Sequence, residues 1–442
     1  MALLPTLSGF LVFLCASAPR RFKLLFLGPT IPCFWETLLK RSTWLDLLAG
    51  EDGQELALPA ETRALLSQLD DRMFEFWNLG ENVFLAWCED GDHIRLLVVP
   101  HYAIAEAIHS KSAPADGIAE SNVFINSILS KPKHLAPEAF QKAALALGGC
   151  VETIACRVGE AVSAELVDRL VNRYGISLVR GRAVVLLDAV GFSLHTPLEQ
   201  VAMLNSLAYS VNSAYRQLLS KDIHINFART TTGDGFYIWN RSRSVDANIS
   251  LYKLMMLILA DNAVAQRKAR GAWVPRLRAA FHVGEHYEFY QVEALNPTTF
   301  SYIVGPVTID LSRMIEQAMP NQILLGDFSI EMSQDGTLVE VDTLDFVGRT
   351  AASLYQLRGL TIADDRIEDI RCYLTGRRTD DGQYAVAPYR IRDKHGIART
   401  VLNAKINIHR EQASPIFLGV RNEDLSTLLY ERVPERSMEA AA

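Results

Sequence analysis

Two carboxylates stand where they could do chemistry together. Asp188 closes the apolar run Val184-Val185-Leu186-Leu187, and Asp234 sits between Gly233 and Gly235 in the stretch RTTTGDGFYIW. An apolar run of that length reads as a buried strand, and a Gly-Asp pair between two strand-like runs reads as a tight hairpin turn. If the two strands are neighbours, the carboxylates come side by side. Two such groups repel unless a divalent cation lies between them, which is how proteins hold hard cations and phosphates. On spacing alone, a strand-end aspartate and a turn aspartate that never meet is the simpler reading. The flanks favour the other one. Asp188 is followed by Ala189-Val190-Gly191-Phe192-Ser193, a glycine-containing turn into a capped helix, where backbone N–H groups can receive phosphate.

The elements that must position these groups follow in a regular order. After the strand ending at Asp188, Thr196-Pro197 reads as an N-cap with proline at the first helical position. Val201, Leu204, Leu207, Ala208, Val211, Tyr215 and Leu218 continue at helical spacing. The hairpin comes next, with arms at Ile223 to Thr232 and Phe236 to Trp239. A long apolar helix (Ile249 to Ala265), a strand (Leu277 to Val283), a short strand (Ser301 to Val304), a short helix (Ile309 to Ala318) and the run Ile323-Leu324-Leu325 complete the series. This β-α-β-β-α-β-α-β order predicts an α+β fold of ferredoxin-like type, one antiparallel sheet with helices on one face.

Four stretches in this region, quoted in order, resemble a family. LLDAVGFS is similar to the D-x-x-G-F-[ST] motif that opens class III nucleotidyl cyclase domains, and TTTGDGFYIW to their T-x-G-D motif. RAAFHVGE resembles their I-G-x-H-x-G strand, and YIVGPVTIDLSRMIEQAMPNQILLG their V-G-x-x-V-N-x-A-x-R segment with P-x-x-I-L behind it. The resemblance covers roughly residues 180 to 330, about a third of the chain. It implies that Asp188, Asp234 and the backbone carbonyl of Ala189 hold two Mg²⁺ or Mn²⁺ ions. One ion would activate the ribose 3′-hydroxyl and the other grip the triphosphate, giving a 3′,5′-cyclic nucleotide and pyrophosphate. It further implies that Gly191 and Phe192 line the nucleotide site, that Arg313 meets charge in the transition state, and that the sites form across a homodimer interface.

The departures from the family pattern bear on the substrate. Thr230 stands where adenylate cyclases carry Lys and guanylate cyclases Glu; Tyr302 stands where they carry Asp or Cys. A tyrosine there would shrink the base pocket and suit a pyrimidine ring. The family's ribose-orienting Asn falls on Ile309, beside Asp310. The pattern looks most like the pyrimidine (uridylate or cytidylate) cyclases of the Pycsar anti-phage systems, whose product would act on a downstream cyclic-nucleotide-binding effector. An adenylate or guanylate cyclase and an inactive cyclase-fold nucleotide sensor remain the alternatives. Near the C-terminus, YRIRDKHGIARTVLNAKINIHR resembles the AGS-C sensor module.

Bulk properties narrow the remaining classes. The chain has 442 residues, 49% hydrophobic and 21% charged, which describes a folded protein of more than one core. Its net charge of -7 offers no basic face for nucleic acid. Six cysteines, with no CxxC pair, point to reduced thiols and a cytoplasmic setting. The apolar segment within residues 1–35 has a first run of about 15 residues, short of a span, and membrane association is not expected. Residues 36–177 read as mostly helical with one strand-like run, Ile94 to Val99. The cyclase-like domain is placed at 178–362 and a small β-rich domain at 378–435. His282-Val283-Gly284-Glu285-His286 also fits the inverted zinc-hydrolase signature, but that chemistry needs a helix and the run reads as a strand.

Overall fold

The computed structural model describes residues 58–109, 124–130, 132–271, 273–292, 299–378, 384–393, 396–425 and 431–432. The apolar N-terminal segment lies outside them, as do Lys394 and His395 of the sensor-like stretch.

Ahead of the candidate site, α1 (Ala60–Trp77) buries Leu66, Leu69, Met73 and Trp77, a stripe at helical spacing. It shares a core with an antiparallel meander of β1 (Asn82–Asp90), β2 (His93–Pro100) and a strand introduced below. Between them in the chain lie α2 (Ala103–His109) and α3 (Pro137–Leu147). The third strand is β3 (Cys150–Ala155), and α4 (Ala164–Arg173) leads into the main sheet. The run Ile94 to Val99 lies within β2. Its partner β1 is buried at six consecutive positions, Val83 to Cys88, so it shows no apolar–polar alternation to mark it as a strand.

The main sheet starts at β4 (Ile176–Ala189), followed by α5 (Pro197–Leu219), β5 (Phe227–Thr231), β6 (Gly235–Asn240) and α6 (Val245–Lys268). Then come β7 (Leu277–Val292), β8 (Thr299–Val304), α7 (Pro306–Gln317) and β9 (Ile323–Gly326). Side by side the strands run β7-β4-β6-β5, all antiparallel, the order of a ferredoxin-like unit; β9 adds to β7 in parallel. The fold is α+β, as the element order predicts.

Alternation along β4 divides two cores. Ala183, Val185 and Leu187 pack with α5 and α6, while Val184 and Leu186 pack with Val307, Leu311 and Met314 of α7. Two long helices thus cover one face, and α7 adds a cover on the other.

Beyond β9, β10 (Ser329–Gln334) and β11 (Thr337–Asp342) form a hairpin, then α8 (Thr343–Ser353). The remaining strands are β12 (Thr361–Ile362), β13 (Asp365–Leu374), β14 (Gly376–Arg378), β15 (Tyr384–Val386), β16 (Pro388–Arg392), β17 (Ala398–Arg410), β18 (Ile416–Leu418) and β19 (Glu431–Arg432). The C-terminal strands extend the main sheet: β17 pairs with β9, β13, β16 and β18. Ile370, Ile406 and Ile408 join the core around α6, so that helix is apolar almost all round.

Candidate active site

Asp188 lies one residue before the end of β4, with Gly235 of β6 opposite it on one side and Arg278 of β7 on the other. It continues the face of Val184 and Leu186, toward α7, and is only 7% exposed. The Arg278 Nε donates to its Oδ2 at 2.6 Å, and the Arg278 Nη1 donates to the Ala318 carbonyl at 3.3 Å, just past α7. Burial pushes the Asp188 carboxyl above its ordinary range; Arg278 pulls it down, and the Asp234 carboxylate pushes it up again.

Asp234 is brought alongside by the hairpin. The Ala189 N–H donates to the Asp234 carbonyl at 3.0 Å, and the Thr232 N–H to the Gly235 carbonyl at 3.0 Å. The Thr232 hydroxyl donates to Asp234 Oδ1 at 3.1 Å, while the Gly233 N–H donates to the Thr231 Oγ1 at 3.0 Å. The threonines therefore hold the turn from within. Glycine is required on both sides of the aspartate for different reasons. Gly233 has φ 101, outside what a side chain tolerates. At Gly235 an added Cβ would stand 1.8 Å from the Leu187 carbonyl oxygen, so only glycine lets β6 lie this close to the strand end.

The turn after Ala189 is tied back by the Val190 N–H, which donates to the Arg276 carbonyl at 2.8 Å. Gly191 takes the left-handed conformation at φ 68, and Phe192–Leu194 form a single 3-10 turn. The N–H groups of Phe192 and Ser193 open that turn and have no acceptor within it. The N-terminus of α5 is already capped: the Thr196 side chain accepts from the Glu199 N–H, and the Glu199 carboxylate accepts from the Thr196 N–H at 2.8 Å. A phosphate would therefore meet the glycine-containing turn ahead of α5.

The other sequence-derived residues lie elsewhere in the chain. Thr230 pairs with Tyr237, which packs on the α7 face, and the Tyr237 hydroxyl donates to the Thr308 carbonyl at 3.1 Å. Tyr302 stacks on Phe289 with ring centroids 5.8 Å apart. Its neighbour Ile303 packs with α7, so Tyr302 points to the opposite face of the sheet from Thr230. Arg313, on α7, donates from Nη1 to Glu316 at 2.7 Å and places Nε 3.8 Å from Asp393. Within one chain its ion pairs are with those residues and not with Asp188 or Asp234. Ile309 is 52% exposed, and Asp310 accepts from Arg399 Nε at 2.6 Å. His282 and His286 both lie in β7, without the helix a zinc-hydrolase signature needs.

Arg278 is the neighbour of Asp188 that sequence reading passed over. The sequence marks it only as one cation in the apolar stretch LRAAF; that it stands opposite Asp188 follows from the pairing of β7 with β4.

Comparison with solved structures returns nucleotide cyclase domains. The chain is similar to the guanylyl cyclase Cya2 at 11% identity, over 52% of this chain and 92% of that one, with a TM-score of 0.27. The adenylyl cyclase CyaB from P. aeruginosa aligns at 12% identity over 52% and 95% of the two chains, with a TM-score of 0.30. The guanylate cyclase domain of RhGC from Catenaria anguillulae, in complex with GTP, aligns at 11% identity over 53% and 100%, with a TM-score of 0.31. No protein-family model and no curated protein matches the sequence. Likeness at this level assigns no activity, and a functional reading has to rest on the side chains described above.

The donor set suits a hard divalent cation carried by a substrate. Among the described residues no cluster of three or more His, Cys, Asp or Glu side chains could hold an ion by itself. Two adjacent carboxylates are enough where phosphate oxygens complete the coordination shell, which is the usual arrangement for Mg²⁺.

Proposed function

We propose that this chain is a nucleotidyl cyclase acting on a pyrimidine nucleoside triphosphate, UTP or CTP. The observation that carries the reading is the meeting of Asp188 and Asp234 at one strand end, where the Asp234 carboxylate adds to the cost of ionising Asp188, beside a turn with open N–H groups. Such a pair is costly unless its purpose is to bind positive charge. Asp188, Asp234 and the carbonyl of Ala189 would hold two Mn²⁺ or Mg²⁺ ions, which when bound neutralise the triphosphate and make the 3′-hydroxyl more acidic. Gly191, Phe192 and Ser193 would receive the phosphate oxygens. Arg278 anchors Asp188 from behind and favours its ionised form, and Arg313 would supply positive charge from a second copy of the chain.

A homodimer is part of this reading. Along α5, Leu198, Val201 and Tyr209 are exposed at 72%, 56% and 63% and fall on one face of the helix next to the turn at Gly191; Leu194, just before it, is 88% exposed. A second copy of the chain would cover them. Preference for a pyrimidine rests on Thr230, which does not offer the side chain that the purine enzymes of the family carry there; Tyr302 lies on the opposite face of the sheet and does not read the base with it. The same resemblance supports a role as signal generator in anti-phage defence, with the product read by a cyclic-nucleotide-binding effector.

The test is incubation of the full-length protein with each of the four nucleoside triphosphates and Mn²⁺, with products identified by mass spectrometry. Cyclic UMP or cyclic CMP is the expected product. Cyclic AMP or cyclic GMP alone would refute the pyrimidine preference, and no product from any of the four would refute the cyclase reading in favour of a nucleotide-binding sensor.

A further inference from the structure

The β16–β17 hairpin reaches across the sheet and takes hold of α7 at two positions one helical turn apart. Arg399, on β17, donates from Nε to the Asp310 Oδ1 at 2.6 Å and from Nη1 to the Asp393 Oδ2 at 2.9 Å. Asp393, in the hairpin turn, keeps its carboxylate 2% exposed and places the same Oδ2 3.8 Å from the Nε of Arg313. Its other oxygen accepts from the Ile397 N–H at 2.9 Å, and its own N–H donates to the Ile397 carbonyl at 3.1 Å, so the turn itself fixes the carboxylate. Asp310 and Arg313 lie three residues apart on α7 and so on one face of it. Two cations and two carboxylates thus alternate in an ion-pair chain from Asp310 through Arg399 and Asp393 to Arg313.

A buried carboxylate is expensive unless its neighbours compensate. Here the compensation comes from Arg399 and the Ile397 N–H, both within the C-terminal hairpin. Asp393 is therefore held without Arg313, and it can act on Arg313 as a fixed anchor. A hydrogen bond from Nη1 to Glu316 and the ion-pair attraction of Asp393, 3.8 Å from Nε, draw the guanidinium toward one side of α7. A long side chain on a partly exposed helix face would otherwise sample many rotamers.

We propose that Asp393 and Arg399 form a clasp that positions Arg313 for the charge it meets in the reaction, making the C-terminal hairpin part of the catalytic apparatus. Asp393 is a positioning residue here: it touches the arginine, and the arginine touches the substrate. This inference rests on the cyclase reading for the role of Arg313, but the clasp itself is independent of that reading.

The experiment is a double-mutant cycle on the full-length protein with Arg313→Ala, Asp393→Asn and the pair combined, and Arg399→Lys as a second probe of the clasp. Asp393→Asn should lower kcat by about tenfold or more with KM nearly unchanged, since misplacing a charge-stabilising group costs at that scale. In the Arg313→Ala background it should lower kcat no further. Arg399→Lys, which keeps the charge but not the fork, should fall between wild type and Asp393→Asn. An unchanged kcat in Asp393→Asn, or an equal loss in both backgrounds, would overturn the proposal. If the wild-type protein turns over none of the four triphosphates, the cyclase reading fails separately. The clasp is then judged by thermal unfolding of the same four proteins: non-additive shifts in Tm support it, and additive shifts overturn it.

Discussion

Asp188 carries three opposed influences, burial and Asp234 against Arg278, and each can be removed singly. Asp188→Ala and Asp234→Ala should each abolish turnover; Asp234→Ala should leave thermal unfolding close to wild type because its side chain sits at a hairpin tip, while Asp188→Ala, which removes the buried partner of Arg278, should lower Tm. Retained turnover in either, measured with Mn²⁺ and the preferred triphosphate, would refute the paired-carboxylate assignment. Arg278→Met removes the group that lowers the Asp188 pKa, so the carboxylate protonates at higher pH. The acid limb of the pH–kcat/KM profile should move to higher pH in that variant; an unmoved limb would mean Arg278 does not tune Asp188. Both aspartates and the glycines around Asp234 were legible in the sequence, because turn chemistry and strand-end placement are local properties. Arg278 was not, because what it does depends on which strand lies beside β4.

At the scale of elements, α6 shows why a sequence pattern underdetermines its setting. Its run from Ile249 to Ala260 is buried almost throughout, and an apolar pattern of this kind does not by itself say which elements enclose it. In the structure it is enclosed by the main sheet, α5, α8 and the C-terminal strands, and no described helix is long and apolar enough to cross a membrane. Lys253 lies within this run, 3% exposed, with its Nζ donating to Gln356 Oε1 at 2.7 Å. Burial lowers its pKa from 10.5 to about 8. The unfolded chain therefore binds more protons than the folded one between about pH 8 and 10.5, and stability should rise with pH across that window. The gain is on the order of 3 kcal/mol, and Lys253→Met should abolish it. Chemical denaturation at pH 7.5 and pH 10 would check this, and an equal pH response in both proteins would refute it.

At the scale of the whole molecule, the C-terminal strands belong to the same sheet as the site. A chain ending at residue 378 would lose β17, whose Leu402, Ala404, Ile406 and Ile408 fill the core around α6 and whose backbone pairs with β9. It should not fold as a cooperative unit; a sharp thermal transition in that fragment, with wild-type resistance to proteolysis, would show otherwise. The sequence by itself determined the order of elements from 178 to 326, the hairpin at Asp234 and the α+β class, because periodicity, turn residues and caps act over a few neighbours. It could not determine that Arg278 faces Asp188, that α7 covers the second face, or that a hairpin more than 60 residues beyond β9 grips Asp310 and Arg313. Those are long-range pairings, fixed only when buried strands choose neighbours, and no local pattern in the chain encodes that choice.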